Sequence, residues 1–298
     1  MPKILEESDY TNIPQIIEQE MPGFKVETCN LITLGWDSVV ADVNDNYIFR
    51  FPRSKNYPLE RENRVLDYLK DKISARIPIV EFVGSKFLFM GYRKIQGISL
   101  EQDLALRFTE VQRSYIAPLI AQFLYELHSG FSVDFGTEIG LRTTTIKSYV
   151  KEASFENAEH IQNKKLRDFV LRIIERYLAL PKDESNIVVI HGDMHGRNMV
   201  VQKDNEHILE GIIDFGDIEI GDAHLEFCPM YNYLRPIVHQ VIQKYNEFTG
   251  NEISIERVAT YSRIIEVSEL CSYMHDPQSR HYPKAKYNLE RWMNEELL

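Results

Sequence analysis

The segment Ile190-His191-Gly192-Asp193-Met194-His195-Gly196-Arg197-Asn198 constrains this chain more than any other stretch. It follows a short apolar run, Ile187 to Ile190. A second such run, Ile208 to Ile213, delivers Asp214-Phe215-Gly216-Asp217. Short apolar runs of this kind, bounded by Gly and polar residues, read as strands. An acid and an amide five residues apart therefore share one loop, and another acid ends a neighbouring strand. Phosphoryl transfer suits this arrangement, because it needs metal-bridged phosphates and an oriented hydroxyl more than covalent help from the protein. Asn198 and Asp214 offer hard oxygen ligands of the type Mg²⁺ takes. Asp193 is left to accept the hydroxyl proton or to orient it. His191 is expected to hold the loop, while His195 is either a solvated loop residue or a donor near the transferred phosphate. His-x-Asp alone is common. The specificity comes from adding Asn198 and the Asp-Phe-Gly turn with strands on both sides.

The pattern changes character along the chain. Residues 8 to 21 read as a helix ended by Pro22-Gly23. Strand-like runs follow at Val26 to Leu34, Ser38 to Val43 and Tyr47 to Phe51. Gly35 and Asn44-Asp45-Asn46 supply turns that join antiparallel neighbours. Residues 58 to 73 have helical spacing, and strands return at Ile79 to Phe82 and Phe87 to Tyr92. After Gly97 the chain turns mostly helical. Val111, Tyr115, Leu119, Phe123 and Leu127 are expected to form the buried stripe of one long helix, and residues 235 to 248 and 255 to 275 read as later helices. The polar stretch Lys203 to Glu206 is expected to turn between the strands of the helical region. The expectation is an α+β chain of two lobes: a sheet lobe over residues 1–92, a hinge at 93–97 and a helical lobe over 98–298.

Composition excludes several function classes. Of 298 residues, 44% are hydrophobic and 27% charged, as in ordinary globular chains. The formal net charge of −11 repels nucleic acid and anionic membrane. No apolar run is long enough to cross a bilayer and no apolar signal core opens the chain. Cys29, Cys228 and Cys271 are too few and too scattered for a disulfide framework or a metal pair. Burial as apolar filler in a cytoplasmic protein is expected of them.

The catalytic segment, the run Tyr47-Ile48-Phe49-Arg50-Phe51-Pro52-Arg53 and the run Gly91-Tyr92-Arg93-Lys94-Ile95-Gln96-Gly97 resemble the aminoglycoside phosphotransferase family. So does Gly211-Ile212-Ile213-Asp214-Phe215-Gly216-Asp217. The resemblance covers nearly the whole chain and is greatest to enzymes that phosphorylate the 2''-hydroxyl of aminoglycosides. It implies a protein-kinase-like fold, a monomeric antibiotic kinase that confers resistance, Mg²⁺, and GTP or ATP as donor. By the same likeness Arg50 grips nucleotide phosphates and pairs with Glu62, with Glu60 as the rival partner. Gly35 and Ser38 would face the phosphates. The base would bind the backbone of Arg93 to Ile95 beside Phe89 and Tyr92, unless those aromatics serve ordinary strand packing. Aromatic bulk there crowds one edge of a purine and points to GTP.

For the acceptor, Asp193, Asp217, Asp222, Glu226 and Glu269 are the expected partners of a cationic sugar. Asp222 and Glu226 could instead cap a helix start. The following stretch, Phe227-Cys228-Pro229-Met230-Tyr231-Asn232-Tyr233, is aromatic and uncharged where the 2''-kinases are densely acidic. That keeps a macrolide or other small-molecule kinase as the alternative, and macrolide kinases of this fold also carry Arg at the place of Arg50. A nucleotide-binding pseudokinase is the non-enzymatic alternative, against which the intact Asp193, Asn198 and Asp214 speak.

Overall fold

The computed structural model describes residues 2–33, 37–181, 186–276, 279 and 281–295. Gly35 lies outside them. The chain divides into two compact units, one formed by residues 1–100 with 198–217 and the other by 101–197 with 218–298.

The first unit is built on an antiparallel sheet. Its strands are β1 (Cys29–Ile32), β2 (Ser38–Val43), β3 (Tyr47–Pro52), β4 (Val80–Val83) and β5 (Met90–Arg93), in the order β1-β2-β3-β5-β4. Successive side chains of a strand face opposite sides. One face therefore carries Val39, Ala41, Val43, Phe49, Phe51 and Phe89 against Ile13, Ile16 and Ile17 of helix α1 (Ile13–Glu20). The other carries Ile48, Met90 and Tyr92 with Leu59 of α2 (Leu59–Leu69). Residues 7–12 ahead of α1 form a 3₁₀ turn rather than α-helix. Pro14 has no N–H to give an interior helix bond, so the α-helix can only start beside it. A second small sheet joins β6 (Ile98–Ser99), β8 (Met199–Val201) and β9 (Leu209–Ile212), and the polar turn near residue 204 links β8 to β9.

The second unit is helical. Its helices are α3 (Gln102–Arg107), α4 (Glu110–Gly130), α5 (Val133–Glu138), α6 (Ile146–Tyr149), α7 (Phe155–Glu159) and α8 (Lys164–Ala179). After β7 (Ile187–Ile190) and β10 (Glu219–Asp222) come α9 (Ala223–Glu226), α10 (Cys228–Tyr233), α11 (Arg235–Thr249), α12 (Ile255–Tyr273) and α13 (His281–Glu295). Strand β7 pairs antiparallel with β10, and α4 packs along α11. One core gathers Phe169, Val170, Ile173, Ile264, Val267, Leu289 and Trp292 from α8, α12 and α13.

The predicted stripe of α4 needs correcting. Val111 and Tyr115 are 64% and 61% exposed and Leu119 is exposed too, while Ile116, Ile120, Phe123, Leu124 and Leu127 are buried. A strict spacing of four advances about 40° per step around a helix of 3.6 residues per turn. The stripe drawn from Val111 therefore starts on the solvent side and only reaches the core at Phe123.

Candidate active site

Each unit carries candidate site residues, described in turn. In the first unit, α2 buries Leu59, Val65, Leu66 and Leu69 along one stripe, and Glu62 stands on that same stripe. A carboxylate in such a place needs a counter-ion. Arg50, on the sheet face opposite Phe49 and Phe51, supplies it: Nη1 donates to Glu62 Oε1 at 2.5 Å. Glu62 is only 2% exposed and is the helix acid that meets Arg50, whereas Glu60 stays on the exposed side. Burial works against the Arg50 charge, and Glu62 with Asp214 outweighs it, holding the guanidinium firmly protonated.

Nη2 of Arg50 reaches Asp214 Oδ1 at 2.9 Å, and the Asp214 side chain keeps 48% of its surface exposed. Asp214 itself adopts φ 69°, a left-handed conformation that Asp tolerates better than most residues. Met199 pairs with Ile212 across the β8–β9 hairpin, and the Ile213 amide donates to the Asn198 carbonyl at 2.9 Å. Asn198 and Asp214 thus stand at the same end of one hairpin. Two neighbouring hard oxygen donors, one a half-exposed carboxylate, fit the ligand preference of Mg²⁺. Asp217 is exposed just beyond the turn.

The remaining donor residues divide by strand parity. Tyr92 shares the Arg50 face, and burial with the nearby carboxylates pushes its hydroxyl far above the usual tyrosine range. Phe89 lies on the opposite face, in the core against Phe49 and Phe51. Its ring is fully buried there. Ser38 is buried at the start of β2, opposite Pro52. Arg93 bonds Glu81 through Nε at 3.0 Å, and the Ile95 side chain packs over Gly211.

In the second unit, the loop after β7 carries His191 and Asp193. Glu226 is 0% exposed and faces this loop from the end of α9. Its Oε2 accepts the His191 amide at 2.6 Å and its Oε1 the Gly192 amide at 3.3 Å. His128 Nε2 lies 3.3 Å from Oε2, and His128 Nδ1 meets the Tyr245 hydroxyl at 2.7 Å. His191 is wholly buried and its Nδ1 accepts the Asp193 amide at 3.4 Å. Asp193 Oδ2 lies 3.3 Å from His195 Nε2, and the His195 ring stands edge-on to Tyr233.

Phosphoryl transfer draws on a cation for the phosphates and on carboxylates for metal and hydroxyl, and Arg50, Asp214 and Asp193 are residues of those types. A profile of the phosphotransferase enzyme family matches residues 28–259. The chain belongs to that family. The fold of this phosphotransferase is similar to that of aminoglycoside 2'-phosphotransferase-IIIa in its GDP complex. There the TM-score is 0.83 at 23% identity, over 98% of this chain and 100% of that one. The GDP and kanamycin complex of APH(2")-IIia gives 0.80 at 23% identity, over 93% and 96%. An apoenzyme of macrolide 2'-phosphotransferase from Brachybacterium faecium gives 0.68 at 15% identity, over 95% and 98%. The phosphotransferase therefore has the expected two-lobed, protein-kinase-like α+β fold. No helix among the described residues is long and apolar enough to cross a membrane.

Two of the expected acceptor carboxylates, Asp222 and Glu226, are buried. Glu226 has its carboxylate inside the protein, on the loop after β7. Asp222 caps α9 through the His224 amide and bonds the His224 ring and the Tyr261 hydroxyl. Glu269 remains partly exposed and bonds His281 Nδ1 at 3.0 Å. Sequence reasoning missed His128, Tyr245 and Tyr57. The first two sit on long helices with no local signal. Tyr57 lies in the polar stretch before Pro58, where an isolated aromatic was the available hint.

Proposed function

We propose that this phosphotransferase moves the γ-phosphoryl group of GTP or ATP to a hydroxyl of an aminoglycoside antibiotic, 2''-type, and so confers resistance. The observation that carries the donor half of this reading is the buried Arg50–Glu62 pair extended to Asp214. Arg50 presents a fixed fork to phosphate oxygens. The backbone from Arg93 to Ile95 receives the base, and the aromatic Tyr92 next to it supports GTP as donor. Asn198 and Asp214 would hold the Mg²⁺ that, when bound, neutralises the phosphate charge. Asp193 accepts the proton of the acceptor hydroxyl as its oxygen bonds phosphorus, while the bond to the bridging oxygen breaks and nucleoside diphosphate leaves. Glu226 and His191 hold Asp193 in place through the loop backbone.

For the acceptor, Asp193, Asp217 and Glu269 supply the carboxylates that ammonium groups need. One observation favours a macrolide as second reading: Asp222 and Glu226 are buried, and Tyr233 with His195 forms an aromatic wall beside Asp193. Calorimetry of kanamycin-type compounds and of macrolides at low and high salt separates the two. Exposed ion pairs are screened by salt. Aminoglycoside binding that weakens steeply with salt supports the first reading. Macrolide binding with little salt dependence, and no aminoglycoside binding, replaces it with the second.

A further inference from the structure

One aromatic beside Arg50 has no role in the reaction as described above. Tyr57 lies in the segment between β3 and α2, packed with Leu59, Met90 and Tyr92. Its hydroxyl donates to Glu62 Oε2 at 2.6 Å and accepts from Arg50 Nη2 at 2.8 Å. Nη1 of the same guanidinium holds Glu62 Oε1, so the three side chains close a ring of hydrogen bonds. Nη2 is also the nitrogen that reaches Asp214. A Cβ built on Gly216 would lie 2.4 Å from the Tyr57 hydroxyl oxygen and 3.3 Å from its Cζ. A single oxygen thus touches the cation, its counter-ion and the turn that follows Asp214.

We propose that Tyr57 is a positioning residue that locks the plane of Arg50 against the Asp214–Gly216 turn and disfavours a side chain at 216. This rests on the reading of Arg50 as a phosphate ligand. Arg50 has two carboxylates in reach, and with Glu62 alone its Nη2 would be free to turn wholly onto Asp214. The Tyr57 hydroxyl takes part of that nitrogen's bonding and returns it to Glu62, so the fork keeps one orientation. Burial first, and Glu62 beside it, push the Tyr57 hydroxyl far above the usual tyrosine range, so it stays a donor at any ordinary pH. The closeness to Gly216 then couples the two elements. A side chain at 216 has to displace the Tyr57 oxygen, and removing the oxygen leaves only the ring carbon, at a tight but tolerable distance.

The test uses Tyr57→Phe, Gly216→Ala and the double variant of the full chain. GDP affinity is measured by calorimetry with and without Mg²⁺, and the Michaelis constants of donor and acceptor by steady-state kinetics. Tyr57→Phe removes both hydrogen bonds of the hydroxyl, each to a charged group. It is expected to weaken GDP about tenfold and to raise the donor KM while leaving the acceptor KM unchanged. Gly216→Ala is expected to weaken GDP as well, and the double variant to bind GDP more tightly than Gly216→Ala alone. A Tyr57→Phe protein that binds GDP within about twofold of the unmodified protein overturns the proposal. So does a double variant no tighter than Gly216→Ala. If Gly216→Ala does not fold, the Tyr57→Phe result decides alone. A failure of the unmodified protein itself to bind GDP removes the reading of Arg50, and the proposal with it.

Discussion

Arg50 shows how much one buried charge organises. Its fork is satisfied by Glu62, Tyr57 and Asp214, and removing one member of a buried pair costs about 3–5 kcal/mol. Asp214 is different, because half of its side chain is open and only one oxygen is bonded to Arg50. Asp214→Ala should therefore leave the fold intact and abolish the Mg²⁺ dependence of nucleotide binding, and Asn198→Ala should weaken it. Nucleotide titrations with and without Mg²⁺ check this, and unchanged metal dependence in both variants would refute the pair as metal ligands. At this scale the sequence was most legible for position: Asp193 lies on the loop after β7, and Asn198 and Asp214 stand at one end of the β8–β9 hairpin. It was least legible for acids. Glu226 looks like any solvent-facing or capping carboxylate until the fold buries it, and nothing in its neighbours signals the His191 and Gly192 amides it receives. Phe89 and Tyr92 both lie at or beside one apolar strand, yet the pleat sends them to opposite faces.

At the scale of elements, α9 and α12 each carry a buried carboxylate, Glu226 and Glu266. Glu226 ties α9 to the loop after β7, and its loss strands at least two amide donors at about 1–3 kcal/mol each. Glu226→Ala is expected to lower turnover and to speed hydrogen exchange at the His191 and Gly192 amides. Unchanged protection there would show that the loop is held by something else. Glu266 on α12 is buried and accepts from Asn232 and Asn288. Burial raises its pKa against the lowering effect of Lys284. A carboxyl group whose folded pKa is raised binds more protons in the folded state, so its stabilising contribution falls as pH rises from the unfolded value through the folded one. The stability of the unmodified protein relative to Glu266→Gln should therefore decline across that window in urea unfolding at several pH values. A constant difference would contradict it. Strand and helix positions were readable from hydrophobic period in β2, β3, β7 and α11. The β7–β10 pairing was not, because the short β10 run is hidden between Asp217 and a helix start. In α4 two apolar faces share one helix, so periodicity alone could not choose the buried one.

For the whole molecule, the succession of an antiparallel sheet and a mostly helical region follows from the change of hydrophobic period after Gly97, and family membership gives that succession its phosphotransferase meaning. The central claim is that a nucleoside triphosphate is consumed only as an antibiotic hydroxyl is phosphorylated beside Asp193. The most direct measurement is nucleoside diphosphate release by unmodified protein and by Asp193→Asn, with GTP and ATP as donors, against a panel of aminoglycosides and macrolides. Losing a positioned base typically costs about 10²–10⁴-fold. The account predicts acceptor-dependent release with an aminoglycoside and GTP, reduced by that factor in Asp193→Asn while nucleotide binding persists. Near-normal turnover in Asp193→Asn, or no acceptor-dependent release with any compound of the panel, would contradict it.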